Sequence, residues 1–136
     1  MDGGGASFNA PFSGTVESVG KIIGEDLYSV KPAMIRSYAL DVLTRNKRQC
    51  LWLRSQVFGL VAFVVVGATH VGSIVINAKK GDTFEKGDEL GHFAYGGSTI
   101  VMVFSRGRFY FDTDLIHNSE RRCETLVQLG QTLGYR

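Results

Sequence analysis

The sequence predicts a mainly-β fold: a compact, barrel-sandwich-like β domain with short connecting helical segments. Three observations lead there. Seventeen glycines stand against two prolines in 136 residues, and glycine punctuates the stretch from Gly81 to Gly97 every few residues. Runs rich in valine, isoleucine and aromatic residues are short and bounded by turn signals, as strands are. The longest apolar run, Val57 to Val66, is ten residues broken only by Gly59. That is about half of what a helix needs to cross a bilayer, so it reads as a core strand.

Residues 1–7, Met1-Asp2-Gly3-Gly4-Gly5-Ala6-Ser7, are acidic and carry no apolar core. They read as a flexible leader or cloning remnant, not as a secretory signal. Residues 8–136 read as one domain, long enough to bury most of its apolar surface, and the leader suggests a piece of something longer. Pro11 to Gly20 alternates and ends in glycine, as a strand and turn do. Gly24-Glu25-Asp26 marks a turn before a short strand at Leu27 to Val30. Pro32 opens a connection, with Ala33 to Leu43 a short helix or an irregular crossing. Arg45-Asn46-Lys47-Arg48 reads as a polar turn, and Gln49 to Arg54 as a strand.

Phe58 to Val66 and His70 to Asn77 are the densest apolar pair, joined by Gly67-Ala68-Thr69. They are expected to be the central strands, packed by Ile100 and Phe104, so that a charge at Val64 prevents folding. Glu89 to Phe104 reads as two apolar strands hinged at Gly96-Gly97-Ser98-Thr99, in its plainest form a hairpin. Ile100 to Phe104 is unbroken in its apolar character, as a buried strand is. Arg106-Gly107 turns into Arg108 to Phe111, Asp112 to Arg122 includes a helical turn, and Thr125 to Tyr135 is a last strand-turn-strand.

Composition narrows the function. A hydrophobic share of 44% and a charged share of 21% are ordinary for a globular chain. A net charge of +2 is too small to argue for nucleic acid. Cys50 and Cys123 stand alone, without CxxC or histidine spacing, which argues against a metal and for buried or free thiols. Lys79, Lys80, Arg106 and Arg108 suit contact with an anionic lipid surface, or simply a solvated face.

One corner carries chemistry. Gly96 and Gly97 lack Cβ, so the backbone ahead of Ser98 reaches conformations closed to other residues. A serine hydroxyl held beside the carbonyl of the preceding glycine can attack it, which is the geometry of self-processing.

Read together, several segments resemble the C-terminal part of phosphatidylserine decarboxylases. They are Pro11-Phe12-Ser13-Gly14, Asn46-Lys47-Arg48, Phe58-Gly59, Val66 to Ile74, Lys86 to Gly91, Gly96-Gly97-Ser98-Thr99, Asn118 to Arg121 and Glu124 to Val127. The resemblance runs from about Phe8 to Gly134 and identifies the chain as a fragment of such a proenzyme. It implies cleavage between Gly97 and Ser98, into chains of 97 and 39 residues (136 minus 97). Ser98 Oγ would attack the Gly97 carbonyl to give an ester, and elimination and hydrolysis would leave a pyruvoyl group at residue 98. That ketone takes up a substrate amine and withdraws electrons as CO2 leaves.

The resemblance also implies an activity: a pyruvoyl-dependent carboxy-lyase, turning phosphatidylserine into phosphatidylethanolamine without a metal. Gly67, Ala68, Thr69 and His70, with Gly96 and Thr99, fall where the family's motif and pocket would be. The family carries two histidines in a His-Arg-x-His-x-Pro-x-x-Gly segment, and aligned on Pro11 and Gly14 those positions are Ala6 and Asn9. Neither residue is a base near neutral pH, and the family's more distant aspartate would fall ahead of residue 1. An uncut chain is therefore expected. His70 ranks ahead of His92 and His117 as a substitute base.

Two alternatives stand beside the lipid enzyme: a soluble aromatic amino-acid decarboxylase of the same family, and a catalytically inactive truncated relative. Lys86-Gly87-Asp88-Glu89-Leu90 also follows the strand pattern of lipoyl and biotinyl carrier domains, which hints at a barrel-sandwich hybrid. The carrier lysine is absent from the Gly96-Gly97-Ser98 tip. Expected partners are a phospholipid or amino-acid substrate, a peripheral membrane contact and a second copy as homodimer, with no nucleic acid. The location follows the substrate: membrane-associated for a lipid, cytoplasmic otherwise.

Overall fold

A computed structural model describes residues 6–24, 46–68, 74–94 and 99–136. The strand expected at Leu27 to Val30 and the crossing at Ala33 to Leu43 lie outside them. Ten strands and one helix are described: β1 (Ser7–Asn9), β2 (Gly14–Val19), β3 (Arg48–Ser55), β4 (Gly59–Val66), β5 (Ile74–Ile76), β6 (Thr83–Phe84), β7 (Glu89–Phe93), β8 (Thr99–Phe104), β9 (Tyr110–Phe111), α1 (Thr113–Glu120) and β10 (Gly134–Tyr135). The fold is mainly β, as expected. Every pairing is antiparallel.

The strands form a five-stranded sheet in the order β6-β2-β3-β4-β8, a three-stranded sheet β1-β7-β5, and a ribbon of β9 and β10. Alternation decides what each face does. On β3, Leu51 and Leu53 are buried while Trp52 and Arg54 face out. Leu51, Leu53, Val61, Phe63 and Val65 of the larger sheet share one core with Phe8, Leu90 and Phe93 of the smaller. The Phe8 ring joins them, 6.0 Å from Phe63 and 5.5 Å from Phe93.

The turns explain the spacing. Lys79-Lys80-Gly81-Asp82 and Glu85-Lys86-Gly87-Asp88 are the same device used twice. In each, the aspartate carboxylate accepts the N–H of the first residue, at 2.9 and 2.8 Å. The aspartate N–H returns to that residue's carbonyl at 3.0 Å in both. The glycine between takes φ of +90° and +93°, a region that penalises any side chain. Between β3 and β4, the buried Ser55 hydroxyl accepts the N–H groups of Val57 and Phe58 at 3.0 and 3.1 Å, closing the hairpin.

Several expectations need correction. Glu89 to Phe104 is not a hairpin, because β7 pairs with β1 and β5 while β8 pairs with β4. The chain crosses from one sheet to the other between Ala94 and Thr99. β4 is central, flanked by β3 and β8, but β5 is an edge strand of the smaller sheet; His70 to Ser73 lie outside the described residues. β8 is half-buried rather than buried: Ile100, Met102 and Phe104 pack on the core, while Val103 is 56% exposed. Val64 stands level with Cys50 and Val101 on the outward side of β4, so it is not a core position.

Asn46 is fully buried, not part of a solvated turn. Two turns of helix occupy Thr113–Glu120, agreeing with the helical reading there. Of the expected last strand pair, only Gly134–Tyr135 is a strand.

Candidate active site

Ser98, Gly96, Gly97, Thr69 and His70 lie outside the described residues. The frame on either side of the Ser98 corner is described. On the near side, the Phe93 N–H donates to the Ala6 carbonyl at 2.9 Å. On the far side, Thr99 stands opposite Val66 on β4, and the buried Gly67 and Ala68 follow Val66 directly. The Asn46 amide donates to the Gly67 carbonyl at 2.8 Å, and the Gly67 N–H donates to the Lys47 carbonyl at 2.7 Å. Thr99, Gly67 and Ala68 therefore gather at one end of the larger sheet, and Ala6 is bonded to Phe93 at the end of β7.

Asn9 is not with them. β1 runs antiparallel to β7, so Ala6 lies at the corner end and Asn9 at the start of β7. Three residues of strand separate the two by about 10 Å. A register shift between Phe8 and Asn9 lets the Asn9 amide donate to the Gly87 carbonyl at 2.8 Å. Ala6 and Asn9 thus open on different surroundings.

Asn9 lies on the wall of a cleft of about 870 Å³, within the usual size of ligand pockets. Phe12, Phe58, Met102, Phe104, Phe109 and Leu133 make it apolar, and among the described residues Lys86 is its one charged wall residue. Phe104 and Phe109 stack at 4.2 Å, with the Phe58 ring edge-on to Phe109 at 5.5 Å. The Ser13 hydroxyl ties this mouth together, accepting the Lys86 N–H at 3.0 Å and donating to Glu85 at 3.1 Å. Sequence reasoning missed the cleft. Its aromatic residues lie up to 97 positions apart (109 minus 12), and only strand pairing unites them.

The substitute histidines fare differently. His92 stands between Ser7 and Val75 across the smaller sheet, on the face opposite Phe8, Gly91 and Phe93, and alternation sets it away from the core-facing side that Ala6 shares with Phe8. His117 is exposed on α1. The basic residues do not form one patch: Lys79 and Lys80 precede β6 and Arg106 and Arg108 follow β8, the two opposite edges of the five-stranded sheet.

Among the described residues three titrating groups are shifted, Glu17, Cys50 and Arg54, the last raised by its hydrogen bond to Glu17. A hydrogen bond from Arg54 at 2.9 Å, with its charge, holds the Glu17 carboxyl below the usual range. Burial pushes the Cys50 thiol up. Cys50 and Cys123 are both free thiols. Among the described residues, no group of three His, Cys, Asp or Glu side chains is placed to hold a metal ion. No described helix is long and apolar enough to cross a membrane.

Comparison with known proteins places this frame. The phosphatidylserine decarboxylase family profile matches residues 7–135, nearly the whole chain. The chain belongs to the phosphatidylserine decarboxylase family. It is 47% identical over 127 residues to phosphatidylserine decarboxylase proenzyme 2 of Oryza sativa subsp. japonica, covering 93% of this chain and 20% of that protein. It is 41% identical to proenzyme 2 of Saccharomyces cerevisiae, over 94% of this chain and 11% of that one. The proenzyme of Chlamydia trachomatis serovar D is 42% identical, over 95% of this chain and 42% of its own length. The chain thus spans less than half of these relatives. No solved structure matches it.

Proposed function

We propose that this chain is the catalytic part of a phosphatidylserine decarboxylase, acting on phosphatidylserine to leave phosphatidylethanolamine, with Ser98 as cleavage and pyruvoyl residue. The observation that carries the reading is the family match across residues 7–135, which takes in Gly96-Gly97-Ser98-Thr99 whole. The relatives' designation as proenzymes supports a processing step. A pyruvoyl group would supply an electron-withdrawing carbonyl at residue 98.

The apolar cleft favours the lipid over a soluble amino acid. Phe12, Phe58, Met102 and Phe104 offer acyl chains a surface away from water, and the Lys86 ammonium suits an anionic headgroup at the mouth. A second reading, an inactive relative, has its own support in Ala6 and Asn9. Neither side chain can take the Ser98 proton, so the residues at those positions do not fit self-made cofactor chemistry.

The test offers the purified chain vesicles containing phosphatidylserine, and in parallel a soluble aromatic amino acid, and measures CO2 release. Release from the vesicles alone, blocked by borohydride or hydroxylamine and indifferent to removal of pyridoxal phosphate, supports the lipid enzyme. Release from the amino acid alone supports the soluble variant. Silence in both, with a chain that stays uncut and silent after Ala6→His and Asn9→His are introduced together, supports the inactive relative.

A further inference from the structure

Among the described residues two polar side chains are buried, Asn46 and Ser55. Ser55 closes the hairpin of β3 and β4, and Asn46 works at the opposite end of the same two strands. Arg48 fixes the Asn46 backbone. Its guanidinium donates to the Asn46 carbonyl at 3.1 Å, and its own N–H and C=O exchange bonds with Ile23 at 2.8 Å. The Asn46 amide then donates to the Gly67 carbonyl at 2.8 Å, while the Gly67 N–H donates to the Lys47 carbonyl at 2.7 Å. Both polar groups of Gly67 thus point to the β3 side. Successive residues of an antiparallel ladder turn their N–H and C=O to opposite sides. Those of Val66 therefore point to Thr99, its partner on β8, in a ladder without register shift from Phe104 onward. The Thr99 N–H belongs to the peptide group that joins residue 98 to β8.

We propose that Asn46 is a positioning residue for residue 98. By holding the Gly67 carbonyl it keeps the end of β4 in place, and through Val66 it fixes the Thr99 amide that would carry a pyruvoyl group. This role rests on the reading of Ser98 as the cleavage and pyruvoyl residue. Strand ends open more readily than strand centres, and a break ahead of residue 98 turns the start of β8 into a chain end, where disorder concentrates. The ladder to Val66 is then what holds that end. A reacting group has to stay close to its productive geometry, and hydrogen bonds from supporting residues keep it there. Gly67 is buried and has no side chain of its own to pack. The carboxamide of Asn46 supplies the hold that Gly67 lacks.

The test is amide hydrogen exchange of the whole chain, read residue by residue by NMR, beside urea unfolding. In the unaltered protein the Gly67 and Thr99 amides should exchange as slowly as Phe63 in the middle of β4. Fast exchange at Thr99 would overturn the proposal, however the variants behave. Asn46→Asp keeps the shape and removes the donor, and Asn46→Ala removes both. In each, Gly67 and Thr99 should exchange about ten-fold faster than the loss of global stability accounts for, with Phe63 following global stability alone. Uniform acceleration along β4 would make Asn46 a structural residue only and overturn the proposal. In the chain carrying Ala6→His and Asn9→His, adding Asn46→Asp should slow cleavage between Gly97 and Ser98 about ten-fold, and unchanged cleavage would also overturn it. A chain that stays uncut with both histidines fails the Ser98 reading instead, and exchange then decides the role of Asn46 alone.

Discussion

The Phe93 N–H donates to the Ala6 carbonyl at 2.9 Å, which ties the residue ahead of β1 to the last residue of β7. Asn9, three residues on, spends its amide on the Gly87 carbonyl at the other end of β7.

Processing follows from this. A serine hydroxyl is a poor nucleophile until a base takes its proton, and general-base assistance contributes about a hundred- to ten-thousand-fold in rate. With Ala6 and Asn9 at the two positions, the chain made alone should remain one uncut polypeptide with Ser98 intact. Denaturing mass spectrometry of fresh protein checks it. A dominant pair of fragments, ending at Gly97 and starting at residue 98, would mean that another group is the base. Asn9→His alone should restore little, because Ala6 stays unchanged at the corner end of β1.

Neighbouring substitutions on β4 should differ sharply. Val65 is fully buried between the sheets, whereas Val64 faces outward beside Cys50 and Val101. Val65→Asp should cost several kcal/mol, a large part of a typical stability of roughly 5–15 kcal/mol, and leave little folded protein. Val64→Asp, at a half-buried position outside the core cluster, should cost less, about 1–3 kcal/mol, and still fold. Urea titration of both variants reads the difference, and equal losses would mean the strand's facing is misassigned.

Gly91 is the tightest point of the smaller sheet. A Cβ there would run into the Val75 carbonyl oxygen and the Phe8 ring. Gly91→Ala should therefore push β5 and β1 off β7 and destabilise the fold by about 1–3 kcal/mol, the usual range for overpacking. Thermal unfolding measures it, and an unchanged melting temperature would show that the two strands yield freely.

The two thiols should label at different rates. Cys123 is exposed, while Cys50 is half-buried in β3 and its thiolate is disfavoured by burial. Iodoacetamide at neutral pH should modify Cys123 first, with Cys50 following only in denaturant or at high pH. The fold favours the protonated Cys50 thiol. Its contribution to stability is present below the ordinary value of 9.0 and is lost as pH rises past it. Peptide mapping over a time course decides, and simultaneous labelling would show that Cys50 is open to solvent.

What the sequence determined by itself was local or motif-borne. Glycine spacing announced the repeated turns at Gly81 and Gly87, because φ near +90° is costly for anything else. Gln49 to Arg54 read as a strand, and β3 spans it. The ordered segments around Gly96-Gly97-Ser98-Thr99 announced the family. Tertiary structure alone decided which strands pair. β7 and β8 look like a hairpin because both are apolar and a Gly-Gly turn lies between, yet hydrogen bonding sends them to different sheets. An apolar run cannot say whether it will be central or an edge: β4 and β8 read alike, and among the described residues β4 has partners on both sides and β8 on one. The cleft was equally hidden, since Phe12, Phe58 and Phe109 share no local pattern and meet only after the long-range ladders close.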